Sequence, residues 1–149
     1  MSVVSREPLV VQFVIPGKAV GKGRPQFNRY TGTAHTPQKT RDYEQLVGDA
    51  FSWQCRGAYF DKTKALELAV KVIVKPPKST SQSKLEAMYE GRIKPTKVPD
   101  MDNQIKAISD GLNKRAIADD RQFVKINAEK VYGKDDYVVV VIREIGIAG

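Results

Sequence analysis

Acidic residues at fixed spacing around position 100 carry the clearest chemical signal in this sequence. Asp100 and Asp102 stand two residues apart, Lys106 follows, and Asp119 and Asp120 form a pair further on. Carboxylate oxygens are the ligands that Mg²⁺ and Mn²⁺ prefer, so the first two acids and one of the later pair could hold such an ion. If the chain is extended before the next helix, the first two carboxylates project from the same side. The Lys106 ammonium, one helical turn beyond Asp102, could stabilise charge that develops on a phosphate.

The same residues also have an ordinary structural interpretation. Asp100 and Asp102 could cap a helix and complement its dipole. Lys106 could pair with Asp102 or Asp110, and the pair Asp119–Asp120 could form a polar turn. Neither interpretation is excluded by these residues alone.

Composition limits the class of protein. The chain has 149 residues, with 25 Lys plus Arg against 17 Asp plus Glu and a formal net charge of +8, so one domain over residues 1–149 is expected. One cysteine, Cys55, and one histidine, His35, exclude zinc-finger and HNH chemistry, which leaves carboxylates as the metal ligands. No stretch approaches the roughly 18 apolar residues of a spanning helix. Because Met1–Leu9 also lacks the apolar run of a signal peptide, we expect neither secretion nor membrane insertion.

Positive charge is concentrated in two segments. No acid occurs between Pro8 and Arg41, and the run from Lys71 to Lys97 is also mostly basic. By contrast, Asp100 to Asp136 contains eight of the 17 acids. A basic surface around an acidic centre is the layout expected of a metal-dependent enzyme acting on a polyanion, although a basic surface kept for solubility has the same composition. The six basic residues of the first segment are Lys18, Lys22, Arg24, Arg29, Lys39 and Arg41.

Hydrophobic periodicity predicts the elements that must position these side chains. The order of elements predicts an α+β domain with a mixed or antiparallel sheet flanked by helices. Gly133–Asp136 is a hairpin signal between the last two strands. The apolar run Val138–Ile142 predicts a strand that is central in the sheet or covered by a partner such as a second copy. Strands are predicted at Leu9–Ile15, Ala65–Val74, Phe123–Tyr132 and Tyr137–Ile145, and helices at residues 37–56, 81–90 and 102–115.

The loop after the first strand combines basic residues with glycines. The glycine spacing matches neither a P-loop nor a dinucleotide fingerprint, so no nucleotide cofactor is expected. Phe27 and Tyr30, beside Arg29, are favoured for stacking on DNA bases, whereas Trp53 is expected to pack in the first helix.

From Pro99 to Asn113 the sequence reads Pro-Asp-x-Asp-Asn-x-x-Lys-x-x-x-Asp-x-Leu-Asn, and Asp119–Asp120 follows. With flanking segments at 16–25, 36–44 and 76–79, this pattern resembles the RusA family of Holliday-junction resolvases, particularly its phage and prophage members. The resemblance covers about residues 9 to 145. One departure is Ile117, because family members often have an aromatic residue shortly before the acidic pair. This difference concerns the local packing, or the insertion of a side chain into the junction, more than the residues expected to carry out cleavage.

The resemblance implies a homodimeric, magnesium-dependent endodeoxyribonuclease, with Mn²⁺ as a substitute ion, that nicks four-way DNA junctions symmetrically during recombination and repair. It leaves 5′-phosphate and 3′-hydroxyl ends. Asp100, Asp102 and Asp120 are then the metal-binding and catalytic carboxylates, and Lys106 is the catalytic lysine. The expected location is the cytoplasm of a bacterial or phage-infected host cell. The alternatives are a non-catalytic branched-DNA-binding protein and a branched-DNA nuclease of broader specificity. DNA contacts are expected from Lys18, Lys22, Arg24, Arg29 and Lys78.

Overall fold

A sheet with helices on one face forms the fold, and a computed structural model describes it for residues 7–149. The prediction for Met1–Leu9 falls largely on residues 1–6, which lie outside the described residues. Within residues 7–149, no helix is long and apolar enough to cross a membrane. The helices are α1 (Gln38–Gln54), α2 (Gln82–Tyr89) and α3 (Met101–Leu112), with a short 3₁₀ helix at Asp120–Gln122. The strands are β1 (Val10–Pro16), β2 (Gln26–Phe27), β3 (Ala34–His35), β4 (Lys64–Val74), β5 (Phe123–Tyr132) and β6 (Tyr137–Ile147).

The main sheet has the strand order β1-β6-β4-β5. β6 is antiparallel to β1 and β4, whereas β5 is parallel to β4. The sheet is therefore mixed, which confirms the predicted α+β class. The apolar run Val138–Ile142 lies in β6, between two neighbouring strands, and its alternate side chains are fully buried in the core of this single chain. Because this burial needs no second copy, the apolar run is no longer a reason to expect a homodimer, which stays a prediction.

The predicted hairpin between the last two strands is wrong. β5 and β6 lie on opposite sides of β4, so their connection spans two strand spacings, about 9.6 Å, instead of one. The connection is bonded to the end of β4, since Gly133 N donates to Val74 O at 2.9 Å and Lys75 N donates to Asp136 Oδ1 at 2.9 Å. A Cβ at Gly133 would overlap the Ile73 side chain, so glycine lets the chain pass close over this strand.

The core lies between the sheet and helices α1 and α3. Phe13 of β1 and Phe51 of α1 meet edge to face, with ring centroids 5.6 Å apart. Trp53 does not pack, contrary to the prediction, because its side chain is 73% exposed. Two helical residues beyond the inward-facing Phe51 turn the side chain through about 200°, which directs it to solvent. There the Arg56 guanidinium lies 4.9 Å from the indole centroid.

The basic loop contains a short hairpin that the sequence did not indicate. β2 and β3 pair between Gln26 and His35, and we call residues 26–35 the aromatic arm. Its turn is closed by Asn28, whose backbone N donates to Thr33 O and whose side-chain oxygen accepts from Tyr30 N at 2.9 Å. The arm therefore has a defined conformation at its tip.

Helices α1 and α3 approach closely at two glycines. A Cβ on Gly111 would lie 2.8 Å from both Glu44 O and Val47 Cβ, and one on Gly48 would lie 3.0 Å from Gly111 O. Contacts this short are not tolerated, so the spacing of the two helices depends on the absence of a side chain at these positions.

We expect Gly111→Ala to destabilise the protein. The forced separation of α1 and α3 should lower the free energy of unfolding by about 1–3 kcal/mol, in spite of the better helix propensity of alanine. The control is Gly146→Ala in β6, where the new Cβ would make an ordinary 3.9 Å contact with Ala65. Urea unfolding of both variants measures the difference, and equal midpoints would contradict the close-approach argument.

Candidate active site

The N-terminus of α3 is set by Asp100. This residue is extended, with φ −75° and ψ 153°, and its carboxylate accepts a hydrogen bond from Asn103 N at 3.3 Å. Because the cap starts the helix at Met101, Asp102 already lies in the first helical turn. The condition under which the two carboxylates project from the same side, an extended segment that includes both acids, is therefore not met, and the predicted helix start at residue 102 is within one residue of the observed start. Asp100 acts as the cap that the structural alternative describes, and its second oxygen is not used in the cap.

Asp102 and Lys106 lie one helical turn apart on α3, and both are exposed. Within the described residues, neither side chain forms an ion pair or a hydrogen bond. The alternative in which Lys106 pairs with Asp102 or Asp110 is not observed. The carboxylate and the ammonium are thus both available to a ligand that approaches this side of the helix.

Two contacts support the segment that leads into α3. Lys130 Nζ, from β5, donates to Lys97 O at 2.6 Å and to Pro99 O at 3.0 Å. From the other side, Lys22 N donates to Asn103 O at 3.0 Å. A Cβ on Gly21 would lie 3.1 Å from Asn103 Cβ, so the basic loop packs directly on the first turn of α3.

Lys22, which we predicted to contact DNA, sits between two carboxylates. Its Nζ forms an ion pair with Glu44 Oε1 at 3.1 Å and another with Asp110 Oδ2, and all three side chains are only about a fifth exposed. Burial of the ammonium lowers the pKa of Lys22, but hydrogen bonds and charges from Asp110 and Glu44 outweigh burial and raise it. Its charge is already neutralised by these two acids, and its direct contact with DNA stays a prediction.

The acidic pair after α3 is divided between two environments. Asp119 caps the 3₁₀ helix, forms a capping box with Gln122, and pairs with Arg121 Nε at 2.9 Å. Hydrogen bonds from Arg121 lower the pKa of Asp119. Asp120 forms no ion pair within the described residues. Although the residue is exposed, desolvation of its carboxyl raises the pKa of Asp120, and the neighbouring acids Asp119 and Asp110 raise it further.

The chemistry of these donors fits a hard divalent cation, because every candidate ligand is a carboxylate oxygen. The mutual repulsion around Asp120 is also of the kind that a cation relieves. The arrangement is not pre-assembled, however, since no three side chains of metal-binding type group together among residues 7–149. Asp120 lies near Asp110, and Asp110 stands about 12 Å along the helix axis from Asp102. The shared metal site of Asp100, Asp102 and Asp120 therefore stays a prediction.

The remaining predicted DNA-binding residues lie on the surface. Phe27 and Tyr30 of the aromatic arm are 70% and 91% exposed, as a role in stacking requires. Ile117 is fully buried and bridges to Phe60, so the departure from the resemblance concerns core packing and not a surface wedge. The exposed basic residues among those predicted are Lys18, Arg24, Arg29 and Lys78.

Sequence reasoning missed Glu44 and Lys130 as residues that support the site. Glu44 lies in the middle of a predicted helix, and nothing in its spacing relates it to Lys22. Lys130 lies in a predicted strand, and nothing in the sequence around it relates it to the segment before α3. Both act through contacts between distant parts of the chain, for which the sequence offers no local signal.

Comparison with known proteins gives two matches. The sequence model of the endodeoxyribonuclease RusA family matches residues 16–143 of this chain. A protein of Bacillus subtilis (strain 168), named uncharacterized protein YqaN, is 33% identical over 139 residues, which cover 91% of this chain and 96% of the relative. The family match includes the basic loop, the motif on α3 and the later acidic pair.

We expect Lys22→Met to destabilise the protein at pH 7 by about 1–2 kcal/mol, because it leaves Glu44 and Asp110 partly buried without a partner. The stabilising contribution is complete below 10.5, the ordinary pKa of lysine, and is lost as the pH rises through the higher folded-state pKa. Lys71→Met is the control, because its pair with Glu129 spans 3.8 Å and is more than half exposed. Chemical unfolding from pH 7 to pH 11 measures both, and equal destabilisation would contradict the prediction.

Proposed function

The chain belongs to the RusA family of endodeoxyribonucleases, and from this premise we propose that it is a magnesium-dependent Holliday-junction resolvase that makes paired symmetrical nicks. The observation that carries the proposal is the motif on α3, in which Asp102 and Lys106 are exposed and unpaired within the described residues. Basic residues on the loop that packs against this helix supply the attraction for a polyanion. The nicks would leave 5′-phosphate and 3′-hydroxyl ends. We also propose that the protein acts in the cytoplasm of a bacterial or phage-infected host cell, where its DNA substrate is located.

Each acidic residue has a stated role in the proposal. Asp100, Asp102 and Asp120 hold Mg²⁺, or Mn²⁺ in its place. When bound, such an ion supplies Lewis acidity toward the scissile phosphate and its attacking water. The Lys106 ammonium binds the phosphate oxygens on which charge develops during the reaction. Asp100 also holds the first turn of α3 in place through its cap, so one carboxylate orients the helix and binds a ligand.

A homodimer is the second part of the proposal. A four-way junction presents two equivalent strands, and resolution requires a cut in each of them. A twofold-symmetric pair of identical sites matches that substrate symmetry. The symmetry of the substrate is the reason to expect the dimer. The apolar strand β6 gives no further reason, because its apolar side chains are covered within one chain.

The substrate experiment separates this proposal from its competitors. The purified protein is incubated with a synthetic four-way junction, a linear duplex of matched sequence and a Y-fork, each with Mg²⁺ and with EDTA. Paired symmetrical nicks that are restricted to the junction and need Mg²⁺ support the resolvase. Nicking of every branched form indicates a nuclease of broader specificity.

Binding without cutting is the outcome expected of the non-catalytic alternative. That alternative has one specific observation in its favour, because Asp100 and Asp119 both act as helix caps. In that alternative Asp102 complements the dipole of α3, so the presence or absence of cleavage is what separates it from the resolvase.

We expect Asp102→Asn to reduce junction cleavage by about 10²-fold or more, the usual loss when a preorganised electrostatic group is removed. Fold and junction binding should be retained, because Asp102 is exposed and has no partner within the described residues. Asp135→Asn is the control, as Asp135 is an exposed acid in the turn between β5 and β6. Single-turnover cleavage and gel-shift binding measure both variants. Normal cleavage by Asp102→Asn would refute the assignment of Asp102 as a metal-binding catalytic residue.

We expect the double variant Phe27→Ala, Tyr30→Ala to weaken junction binding through loss of base stacking, by about 1–3 kcal/mol for each base that is stacked. Stacking releases no counterions, so the slope of log K against log salt should stay as in the wild type. Trp53→Ala is the control, since it removes an aromatic ring of similar exposure from α1. Fluorescence anisotropy at several salt concentrations provides the measurement. An unchanged affinity would remove the aromatic arm from the DNA interface.

A further inference from the structure

A groove of about 680 Å³ runs beside the segment that leads into α3. One wall comes from the basic loop at residues 18–23, another from the end of β4, and Val98 and Pro99 close one side. Asp100 is the next residue along the chain, so the groove ends beside the proposed active site. Lys130 holds the Pro99 carbonyl at 3.0 Å and thereby fixes the position of this side.

Charge in the groove is strongly one-sided. Lys18, Lys39 and Lys75 line it, and all three are exposed. The one acid in the lining is Asp136, and its carboxylate accepts a hydrogen bond from Lys75 N at 2.9 Å. Lys39 and Lys75 were not among the predicted DNA contacts, although Lys39 belongs to the first basic segment. The groove is therefore suited to an anion.

Apolar side chains make up part of the lining of the groove. Val20, Ile73 and Pro99 are among them, and no aromatic side chain lines the groove within the described residues. Such a lining suits the carbon atoms of a sugar, and the absence of rings argues against the stacking of a base. A lining of lysines and apolar side chains matches a sugar-phosphate backbone, whose anionic groups repeat at regular spacing.

We propose that this groove binds the backbone of the DNA strand that is cut, at the nucleotides next to the scissile phosphate. The inference rests on the proposed function for the identity of the strand, and on the charge and shape of the groove for the binding itself. Lys39 of α1 and Lys75 at the end of β4 hold phosphates of this strand, and the groove guides the strand toward Asp100. Because the contacts are to the backbone, they are independent of base sequence.

Disulfide cross-linking tests the location of the strand. Cys55 is the only cysteine in the sequence, so Cys55→Ser gives a background into which Lys39→Cys is introduced. The probe is a four-way junction with a thiol tether on one backbone phosphate, stepped along the strand in EDTA. We expect the highest yield with the tether within about three nucleotides of the cut, at least tenfold above Lys84→Cys, whose position on α2 does not line the groove. A yield no higher than that of Lys84→Cys at every tether position would overturn the proposal.

Salt dependence tests the phosphate contacts without a new cysteine. Lys39→Gln with Lys75→Gln should lower the slope of log K against log salt by about 2, one for each phosphate contact that is lost. The charge-matched control is Lys84→Gln with Lys114→Gln, neither of which lines the groove. Equal slopes for the two double variants would overturn the proposal.

The two proposals fail separately in these experiments. If the wild-type protein binds junctions without cutting them, and the Lys39→Cys variant cross-links through the groove, the resolvase is refuted and the groove is supported. A wild-type protein that cuts junctions normally, while both groove tests match their controls, refutes the groove and leaves the resolvase supported.

Discussion

The ion pairs of Lys22 with Glu44 and Asp110 are the interaction on which the rest of the site depends. They join three parts of the chain that are far apart in sequence: the basic loop, α1 and α3. The Lys22 backbone adds a hydrogen bond to Asn103 O, so the loop is fixed to the helix at two points. A lysine that is only about a fifth exposed between two carboxylates stays charged, and it prevents the two acids from repelling each other across the helix interface. Without it, the basic loop would keep only its backbone contacts to α1 and α3, among them the bond of Gly23 N to Thr40 Oγ1 at 2.9 Å.

A second contact fixes the rotation of α3 about its own axis. Gln104 is fully buried, and its Nε2 donates to the Tyr43 hydroxyl of α1 at 3.0 Å. Its Oε1 has no hydrogen-bond partner in the described part of the chain, which is a cost that an apolar residue would avoid. A directional bond in the core specifies one orientation of the helix where apolar packing alone would permit several. In that orientation Asp102 and Lys106 face outward. The close approach at Gly111 fixes the distance between α3 and α1.

Local patterns predicted the elements well, and contacts between distant residues account for the errors. The ranges of β5, β4 and the three helices follow from periodicity within each segment, and the structure confirms them to within a few residues. The hairpin was wrong because strand order depends on β4, about fifty residues earlier, which inserts between β5 and β6. The motif on α3 could be read because its residues are neighbours in one helix. The pairing of Lys22 with Glu44 and Asp110, and the closeness of Asp110 to Asp120, could not be predicted from the sequence. Both depend on how the helices and the basic loop pack.

An acid can cap a helix and also bind a metal ion. The hydrogen bonds and ion pairs of each acidic residue show which of them are still available to a cation. Both oxygens of Asp119 accept hydrogen bonds from Arg121, and the charge of Asp110 is neutralised by its ion pair with Lys22, so both acids already have a cationic partner. Asp120 lacks an ion pair within the described residues, and its neighbours raise its pKa, so it gains most from a cation. Asp102 has no partner among residues 7–149, and Asp100 uses one oxygen in its cap. The proposed magnesium site therefore uses the acids that have no cationic partner within the described residues, and Asp120 is the member that packing places beside Asp110, away from the start of α3.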